Sequence, residues 1–340
     1  MDDGEELLYC FNKFWLEKRD EIIEIANSKK KENKKMTDIN KLDRDTSNTA
    51  HRIKAEHDKK IKIKKMSNAT RSNEISILNE LLKQPLTKQR SPEWFKLREN
   101  RLTASDLHDA IKNPLSLAKK KLKTTTFNSS AIPALKWGTM FEAMATRIYS
   151  NLKNKKVHEF GLIINDNIEN FAASPDGITE DGVMIEIKCP YSRKIKDGEI
   201  PEKYYYQMQG QLAVCNLTKC DYIECEFVCY NDEAEYIANI KDMNNNYQHG
   251  IIAEKKEAGD YIYHYSGENQ DYQDNINEMN NYEDYKLNYW KLKTINIQEV
   301  SFDKTKWDNV ITNKINEFYK IYMKEKEQTT NPINMFIDDD

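Results

Sequence analysis

A short apolar segment that contains two charged residues, GVMIEIKCP at residues 182–190, constrains the fold of this 340-residue chain most strongly. Side chains on a β-strand alternate between two faces, so Ile185 and Ile187 share one face while Glu186 and Lys188 share the other. Asp181-Gly182 at its start and Pro190 at its end are typical strand boundaries. The sequence therefore predicts a strand with one face in a core and a carboxylate beside a lysine on the other.

The segments around this strand alternate between helical and strand periodicity. Helices are predicted from Ser91 as N-cap, from Thr103 or Ser105 as N-cap, over 135–152, over 202–216, and from Asp303 to about 324. Further strands are predicted over 157–164, 169–177, 222–230 and 290–300. Strands alternating with helices indicate an α/β protein, with a central mixed β-sheet flanked by helices.

The segments before residue 74 differ in composition from this α/β body. Residues 1–28 have the apolar spacing of an amphipathic helix. Residues 29–73 predict a basic, flexible arm, because Lys29 to Lys65 contains fourteen lysines and arginines, six acidic residues and few large apolar side chains. Such an arm suits nucleic-acid binding or nuclear localisation, and a solvated linker is an equally supported alternative.

The body itself is predicted in two parts, residues 74–240 and 286–327. An acidic insertion at 241–285 separates them, since Glu224 to Trp290 contains fifteen acidic residues and four lysines. Some helix is expected within the insertion near Ile251–Ala258. Residues 328–340 are predicted to be a disordered tail.

Secreted and membrane-spanning classes are excluded by sequence. There is no run of about 18 apolar residues, and the acidic start lacks the apolar stretch of a signal peptide. Six cysteines are too few for a disulfide scaffold, so the expected location is intracellular, in the cytoplasm or the nucleus. The cysteines at 215, 220, 225 and 229 have irregular spacing for zinc, and burial as small apolar residues is the favoured interpretation.

The polar face of the central strand carries the chemistry. Asp176 follows the preceding strand in a turn, so it is expected near Glu186 and Lys188. Two carboxylates can hold a hard divalent cation through oxygen, and such a cation lowers the pKa of bound water. A lysine alongside can orient that water for phosphodiester hydrolysis. From spacing alone, a metal nuclease and a surface ion pair at a strand end are equally supported.

Five blocks occur in one order along the chain: EWFKLRENRLTASDLHDAIKNP, LKWGTMFEAMA, SPDGI with IEIKCP, YYYQMQGQLAV, and the strand and helix at 290–322. Together they resemble the lambda-type exonucleases, also called YqaJ-type viral recombinases, of the PD-(D/E)XK nuclease superfamily. The resemblance covers about 91–240 and 286–327, and the stretch from Ile187 to Val214 is most similar to relatives from large DNA viruses of eukaryotes.

The resemblance implies a PD-(D/E)XK nuclease core and assigns a role to each catalytic position. Asp176 and Glu186 would ligate the metal together with the backbone carbonyl of Ile187. Lys188 would lie beside the nucleophilic water. Glu142, from the preceding helix, would complete a two-metal site. The implied cofactor is Mg²⁺, for which Mn²⁺ could substitute.

The glutamine-rich helix matches a family helix that points one glutamine into the site. Gln207 is assigned that role from the register of the preceding tyrosines. Gln209 and Gln211 share the helix, and Gln211, four residues on, lies on the same face as Gln207.

The resemblance also implies residues that grip DNA. Arg98, Ser105 and Ser174 match positions that bind the terminal 5′-phosphate, which suits an arginine fork and hydroxyl donors near a helix start. Arg193 and Lys194, after the lysine strand, are candidates for lining the DNA path, and a solvated loop is an equal alternative.

The resulting hypothesis is a Mg²⁺-dependent exonuclease that degrades duplex DNA from its ends, 5′ to 3′, and leaves 3′ single strands. Its implied partners are duplex DNA ends, a single-strand annealing protein and further copies of itself in a ring trimer. Viral recombination, repair or genome processing, in a cytoplasmic viral factory or the nucleus, is the implied setting. The alternatives are an endonuclease or RNA-cleaving nuclease of the same superfamily and a catalytically inert binding protein.

Overall fold

The computed structural model describes residues 70–330, except 88, 90, 124–131, 166–167, 169, 241–247, 258–259 and 268–270. The predicted helix at 1–28, the basic arm up to residue 69 and the tail from 331 lie outside the described residues. Residues 328–330, expected to belong to the disordered tail, are instead the end of the last helix. The first described element is a helix over 70–81, so helix begins four residues before the expected boundary at 74. Within the described residues, no helix is both long and apolar enough to span a membrane.

Helices form one part of the described chain. They are α1 (70–81), α2 (Pro92–Arg98), α3 (Leu107–Lys112), α4 (Pro114–Leu122), α5 (Pro133–Lys153), α6 (Glu202–Cys215), α7 (Glu233–Ile240), α8 (Tyr272–Met279), α9 (Lys304–Lys306) and α10 (Thr312–Thr330). A 3₁₀ turn at Ala104–Asp106 precedes α3, and a π-helical turn at Trp307–Ile311 joins α9 to α10.

In the part of the chain that the structure describes, ten strands form two sheets. They are β1 (Leu102–Thr103), β2 (Val157–His158), β3 (Ile163–Ile164), β4 (Phe171–Ala173), β5 (Gly177–Thr179), β6 (Met184–Lys188), β7 (Lys219–Tyr230), β8 (His249–Glu257), β9 (Asp260–Tyr265) and β10 (Lys286–Ser301). The larger sheet has the order β2-β5-β6-β7-β10-β8-β9, and the smaller has the order β1-β4-β3.

The larger sheet is mixed. β6 and β7 pair in parallel, while the other neighbouring strands of this sheet pair antiparallel. A parallel pair needs a crossover connection, and α6 supplies it between β6 and β7. The predicted α/β fold, a central mixed sheet flanked by helices, is confirmed.

The central strand has the predicted two faces. Ile185 and Ile187 pack in a core with Phe141 and Met144 of α5. On the other side of the sheet a second core contains Met184 and residues of α6. The strand residues around Glu186 are therefore buried on both faces, and only Lys188 at the strand end reaches solvent in part.

Two predicted elements were wrong in detail. The strand expected over 157–164 is two short strands, β2 and β3, in different sheets. A Cβ at Gly161 would lie 2.2 Å from the carbonyl oxygen of Thr87, so the chain turns there against another backbone segment. The helix expected near Ile251–Ala258 is strand β8, because its isoleucines are buried and its backbone pairs with β10 and β9.

The region expected to be an acidic insertion contributes to the larger sheet. β8 and β9 extend it beyond β10, and α8 packs in a small third core with Tyr236 and Ile240 of α7. The cysteines follow the burial interpretation: Cys215 and Cys220 lie in one core and Cys225 in the core on the other side of the sheet. Their positions on opposite sides exclude a shared zinc site for these three thiols.

Candidate active site

The structure brings the three central residues of the predicted site together. Glu186 is fully buried, and the Lys188 ammonium donates to its Oε1. Asp176 lies in the turn before β5, and its Oδ2 accepts from the backbone N–H of Ile187 at 2.7 Å. This bond ties the turn to the middle of β6. It also gives the buried backbone N–H of Ile187 an acceptor.

Acidic side chains lie close together in this group, and their charges shift the pKa values of Asp176 and Lys188. Burial, together with the negative charges of Glu186 and Glu142, raises the pKa of Asp176 well above its ordinary value. Burial alone would lower the pKa of Lys188, but the charges of Glu186 and Asp176 raise it instead. The charges of the carboxylates therefore favour the ammonium form of Lys188, and a cation bound beside Asp176 would favour the ionised form of that carboxyl group.

Helix α6 supplies two amides to the buried glutamate. Gln207 Nε2 donates to Glu186 Oε1 at 2.7 Å, and Gln211 Nε2 donates to Oε2 at 2.7 Å. Gln209, on the other face of the helix, donates instead to the carbonyl of Ser301 and accepts from the backbone of Asp303. Gln211 was not assigned to the site from sequence, although its i+4 spacing from Gln207 is the signal that finds it.

Glu142 approaches the same group from the other side. It is half-buried on α5, and its charge contributes to the raised pKa of Asp176. Burial, together with the charge of Glu142, raises the pKa of Tyr265, whose hydroxyl donates to the Met140 carbonyl two residues earlier on α5. The predicted neighbourhood of Glu142 and Asp176 is thus present in the fold, and its role as a ligand stays a prediction.

The donor set fits a hard divalent cation. A carboxylate offers about four lone-pair positions, and three N–H donors occupy the oxygens of Glu186, so acceptor capacity remains beside Asp176. Over the described ranges, no three His, Cys, Asp or Glu side chains converge into a ready-made cage. Water would have to complete the coordination, which is usual for Mg²⁺.

The predicted phosphate-binding residues are linked by a chain of contacts. Trp94 Nε1 donates to Ser174 Oγ at 3.2 Å, and the Arg98 guanidinium lies 4.1 Å from the centroid of the Trp94 ring. Arg98 Nη2 donates to Thr103 Oγ1 at 3.2 Å, which lies 3.1 Å from Ser105 Oγ. Residues from three separate segments therefore meet around Arg98, while Ser105 remains exposed to solvent.

This group connects directly to the metal-site candidates. Gln211 Nε2 lies 3.3 Å from the carbonyl of Ser174, so one side chain contacts both a candidate phosphate-binding residue and Glu186. Burial lowers the pKa of Arg98, and the opposing charge of Asp106 offsets part of that effect. Trp94 was missed as an individual site residue, since nothing in its local sequence shows that it contacts Ser174.

The expected helix caps are partly different from the structure. Ser91 accepts from the backbone N–H of Trp94 at 3.2 Å, so it caps α2 as predicted. Thr103 precedes the 3₁₀ turn, but its side chain donates to Asp106 Oδ2 at 2.9 Å and bonds no backbone amide. Its hydroxyl oxygen instead contacts Arg98 and Ser105, two of the candidate phosphate-binding residues.

Arg193 lies after β6, as predicted, but its described partner is an acidic side chain. The guanidinium pairs with Glu224 of β7, which is fully buried. Glu224 was not singled out from sequence, although a glutamate in the apolar strand 222–230 is the same kind of signal as Glu186.

Comparison with known proteins supports the family suggested by the sequence blocks. Residues 93–220 match the family model of the YqaJ-like viral recombinase domain. An uncharacterized protein of Acanthamoeba polyphaga mimivirus is 31% identical over an alignment 215 residues long, which covers 56% of this chain and 38% of that protein. The chain thus spans less than half the length of that relative.

Two solved structures match this chain over most of their own length. An alkaline exonuclease from Laribacter hongkongensis is 21% identical, with a TM-score of 0.45, over 71% of this chain and 97% of the other. A phage-related exonuclease from Haemophilus somnus is 12% identical, with a TM-score of 0.40, over 67% of this chain and 96% of the other. The sequence match agrees with the predicted family: residues 93–220 of this chain are similar to the YqaJ-like viral recombinase domain.

Proposed function

We propose that this protein is a Mg²⁺-dependent deoxyribonuclease that degrades duplex DNA from its ends in the 5′ to 3′ direction. The observation that carries the proposal is the cluster of Asp176, Glu186 and Lys188 on the polar side of β6. A surface ion pair at a strand end, the other interpretation of this pattern, does not describe it, because Glu186 is fully buried and receives two amides from α6. The YqaJ-like domain supports DNA as the substrate.

In this proposal each residue has a defined task. Asp176 and Glu186, with Glu142 from α5, would hold the divalent metal, which when bound supplies charge compensation and an acidified water. Lys188 keeps its proton and orients the attacking water or the phosphate oxygen beside it. Gln207 and Gln211 hold the Glu186 carboxylate in one orientation through their amides.

Action at ends is supported by the group around Arg98. An arginine, two serine hydroxyls and an indole N–H lie within one side chain of Glu186, and together they are a suitable donor set for a terminal phosphate. A 3′ single strand left by such an enzyme would be the substrate of an annealing protein. We therefore propose duplex DNA ends as the substrate and an annealing protein as a partner in recombination, repair or genome processing.

The test compares linear and closed circular duplex DNA of one sequence. With Mg²⁺, the protein should release nucleotides from linear, 5′-phosphorylated duplex and leave the covalently closed circle intact. End-labelling of each strand separately reads the direction of degradation. The Asp176→Asn variant, which keeps an acceptor for the Ile187 amide, is the inactive control.

The other results discriminate the alternatives. Cutting of the closed circle would establish an endonuclease, and selective cleavage of RNA would establish the RNA-cleaving alternative. Binding of duplex without any cleavage, over a range of divalent metals, would refute the enzymatic proposal and leave the inert binding protein.

A further inference from the structure

A second polar row lies beside the catalytic strand. β6 and β7 pair in parallel, and the register places Tyr222 opposite Glu186 and Glu224 opposite Lys188. Paired residues on neighbouring strands project to the same face, so Glu224 lies next to Lys188 on the polar side of the sheet. Tyr204 of α6 spans this row, with its ring 5.1 Å from Lys188 Nζ and 5.9 Å from the ring of Tyr222.

Glu224 is buried but incompletely paired. One oxygen, Oε1, accepts from the hydroxyl of Tyr222 at 2.9 Å and from Arg193. The other oxygen, Oε2, is buried without a hydrogen-bond partner in the described part of the chain. A buried carboxylate oxygen left without a donor is unfavourable, so an ion pair built only for stability would use both oxygens and both ends of the arginine fork.

Arg193 is held at one end and open at the other. Its contact to Glu224 uses Nη2, and 39% of its side chain is exposed to solvent. A guanidinium has five N–H donors, so donors remain for an anion that approaches from solvent. Its Cζ lies 6.0 Å from the ring of Tyr204, the same ring that contacts Lys188, so the charge is held beside the catalytic lysine.

We propose that Glu224 is a positioning residue that holds Arg193 beside Lys188, so that the exposed guanidinium binds a backbone phosphate of the DNA strand in the site. Tyr222 supports the arrangement by orienting the Glu224 carboxylate. The inference rests on the proposed function, because it concerns the same DNA and the same site. It adds a carboxylate whose task is to orient an arginine and not to ligate the metal.

The experiment is a double-mutant cycle on DNA affinity. Binding of a 5′-phosphorylated duplex is measured with Ca²⁺ in place of Mg²⁺, at several salt concentrations. Arg193→Ala should weaken binding about tenfold or more and make the salt slope shallower by about one phosphate contact. Glu224→Gln should weaken binding by less, about threefold, because the arginine keeps its charge but loses its orientation.

Coupling between the two positions is the decisive quantity. In the Arg193→Ala background, Glu224→Gln should cause no further loss of affinity, since its only effect passes through the arginine. Lys194→Ala is the matched control: it removes one charge from the same exposed loop, and its effect should simply add to that of Glu224→Gln. Additive losses at Arg193 and Glu224 would overturn the proposal.

Folding and function are monitored separately. Thermal unfolding checks each variant, and if Arg193→Ala unfolds because it leaves a buried charge, the double variant, which removes both charges, replaces it. A double variant that binds DNA as tightly as wild type would overturn the proposal. Release of nucleotides by the wild-type protein with Mg²⁺ tests the proposed function itself. If the wild type releases none, the proposed function fails. If the wild type is active but Arg193→Ala does not weaken DNA binding, only the present inference fails.

Discussion

The Asp176→Asn substitution should have opposite effects on the metal-free and the metal-bound protein. In the folded protein the pKa of Asp176 is raised by burial and by the charges of Glu186 and Glu142. A raised folded pKa means that its favourable contribution is present at low pH and is lost as the pH rises through the folded pKa. Above the ordinary carboxyl pKa, Asp176 therefore costs the metal-free protein stability at this buried position, and the neutral amide of asparagine removes that cost.

Divalent metal reverses the sign. An ion at 100 times its dissociation constant stabilises the folded state by about 2.7 kcal/mol, or roughly 5–10 °C in Tm at about 2–4 °C per kcal/mol. This gain should grow with pH, because binding requires the ionised carboxylate. Asp176→Asn should lose most of it while keeping its bond to the Ile187 amide.

The assay is thermal unfolding with and without Mg²⁺ or Ca²⁺ at two pH values. Asp181→Asn is the matched control, since Asp181 lies in the next turn of the same chain segment. Burial tends to raise its pKa, but Lys155 and Thr179 lower it overall, so its loss should destabilise the protein at neutral pH without changing the metal effect. A metal-free Asp176→Asn protein that is less stable than wild type at pH 8, or that keeps the full metal shift, would refute this reasoning.

Four further predictions follow from single contacts. Lys188→Ala should abolish hydrolysis while DNA binding in Ca²⁺ stays close to wild type, and it should lower the Tm of the metal-free protein because buried Glu186 loses the cation that pairs with it. Wild-type turnover would exclude Lys188 from the chemistry. Gln211→Leu should lower metal affinity about 10–100-fold by releasing the buried glutamate, whereas Gln209→Leu, which faces away from the site, should leave metal titrations unchanged. Arg98→Ala should reduce the rate on 5′-phosphorylated duplex about 10–100-fold and narrow the gap to 5′-hydroxyl duplex, and an unchanged ratio of the two rates would contradict the phosphate assignment. Gly138→Ala should stabilise the protein by about 1 kcal/mol in denaturant unfolding, because a Cβ there meets no atom within 4 Å on a long helix, and a loss of stability would contradict that geometry.

The central part of the fold follows from local periodicity. Alternation within GVMIEIKCP is enough to place Glu186 and Lys188 on one face and two isoleucines on the other, because strand geometry fixes that relation for any register. Helix α5 and strand β10 likewise have strong patterns over many residues. These elements were predicted to within a few residues of their observed ends.

The errors occur where distant contacts override the local pattern. Ile251–Ala258 was predicted to contain helix, but pairing with β10 and β9 makes His249–Glu257 a strand. The break between β2 and β3 depends on the backbone of Thr87, which lies more than 70 residues away in sequence from Gly161. Neither contact can be read from the segment itself.

Residues of the candidate site were likewise predictable where the signal is local, and were missed where it depends on a distant contact. The carboxylates and the lysine were predictable because charged side chains in an apolar strand are unusual. Trp94 was not, since its bond to Ser174 joins residues 80 positions apart. Gln211 had a usable signal in its helical spacing, which the choice of Gln207 alone left unused.

Glu186 and Glu224 show how distant partners give one local signal two meanings. Each is a fully buried glutamate in an apolar strand, and the strands are neighbours in the sheet. Around Glu186 the other carboxylates are Asp176 and Glu142, and Lys188 is the cation that offsets them. With all three carboxylates ionised, the group would have a formal charge of −2, which would favour binding of a divalent cation. Glu224 instead pairs one to one with Arg193, and this pair is formally neutral. A cation therefore has a reason to bind at the first glutamate, while the second can only orient the charge that it already holds.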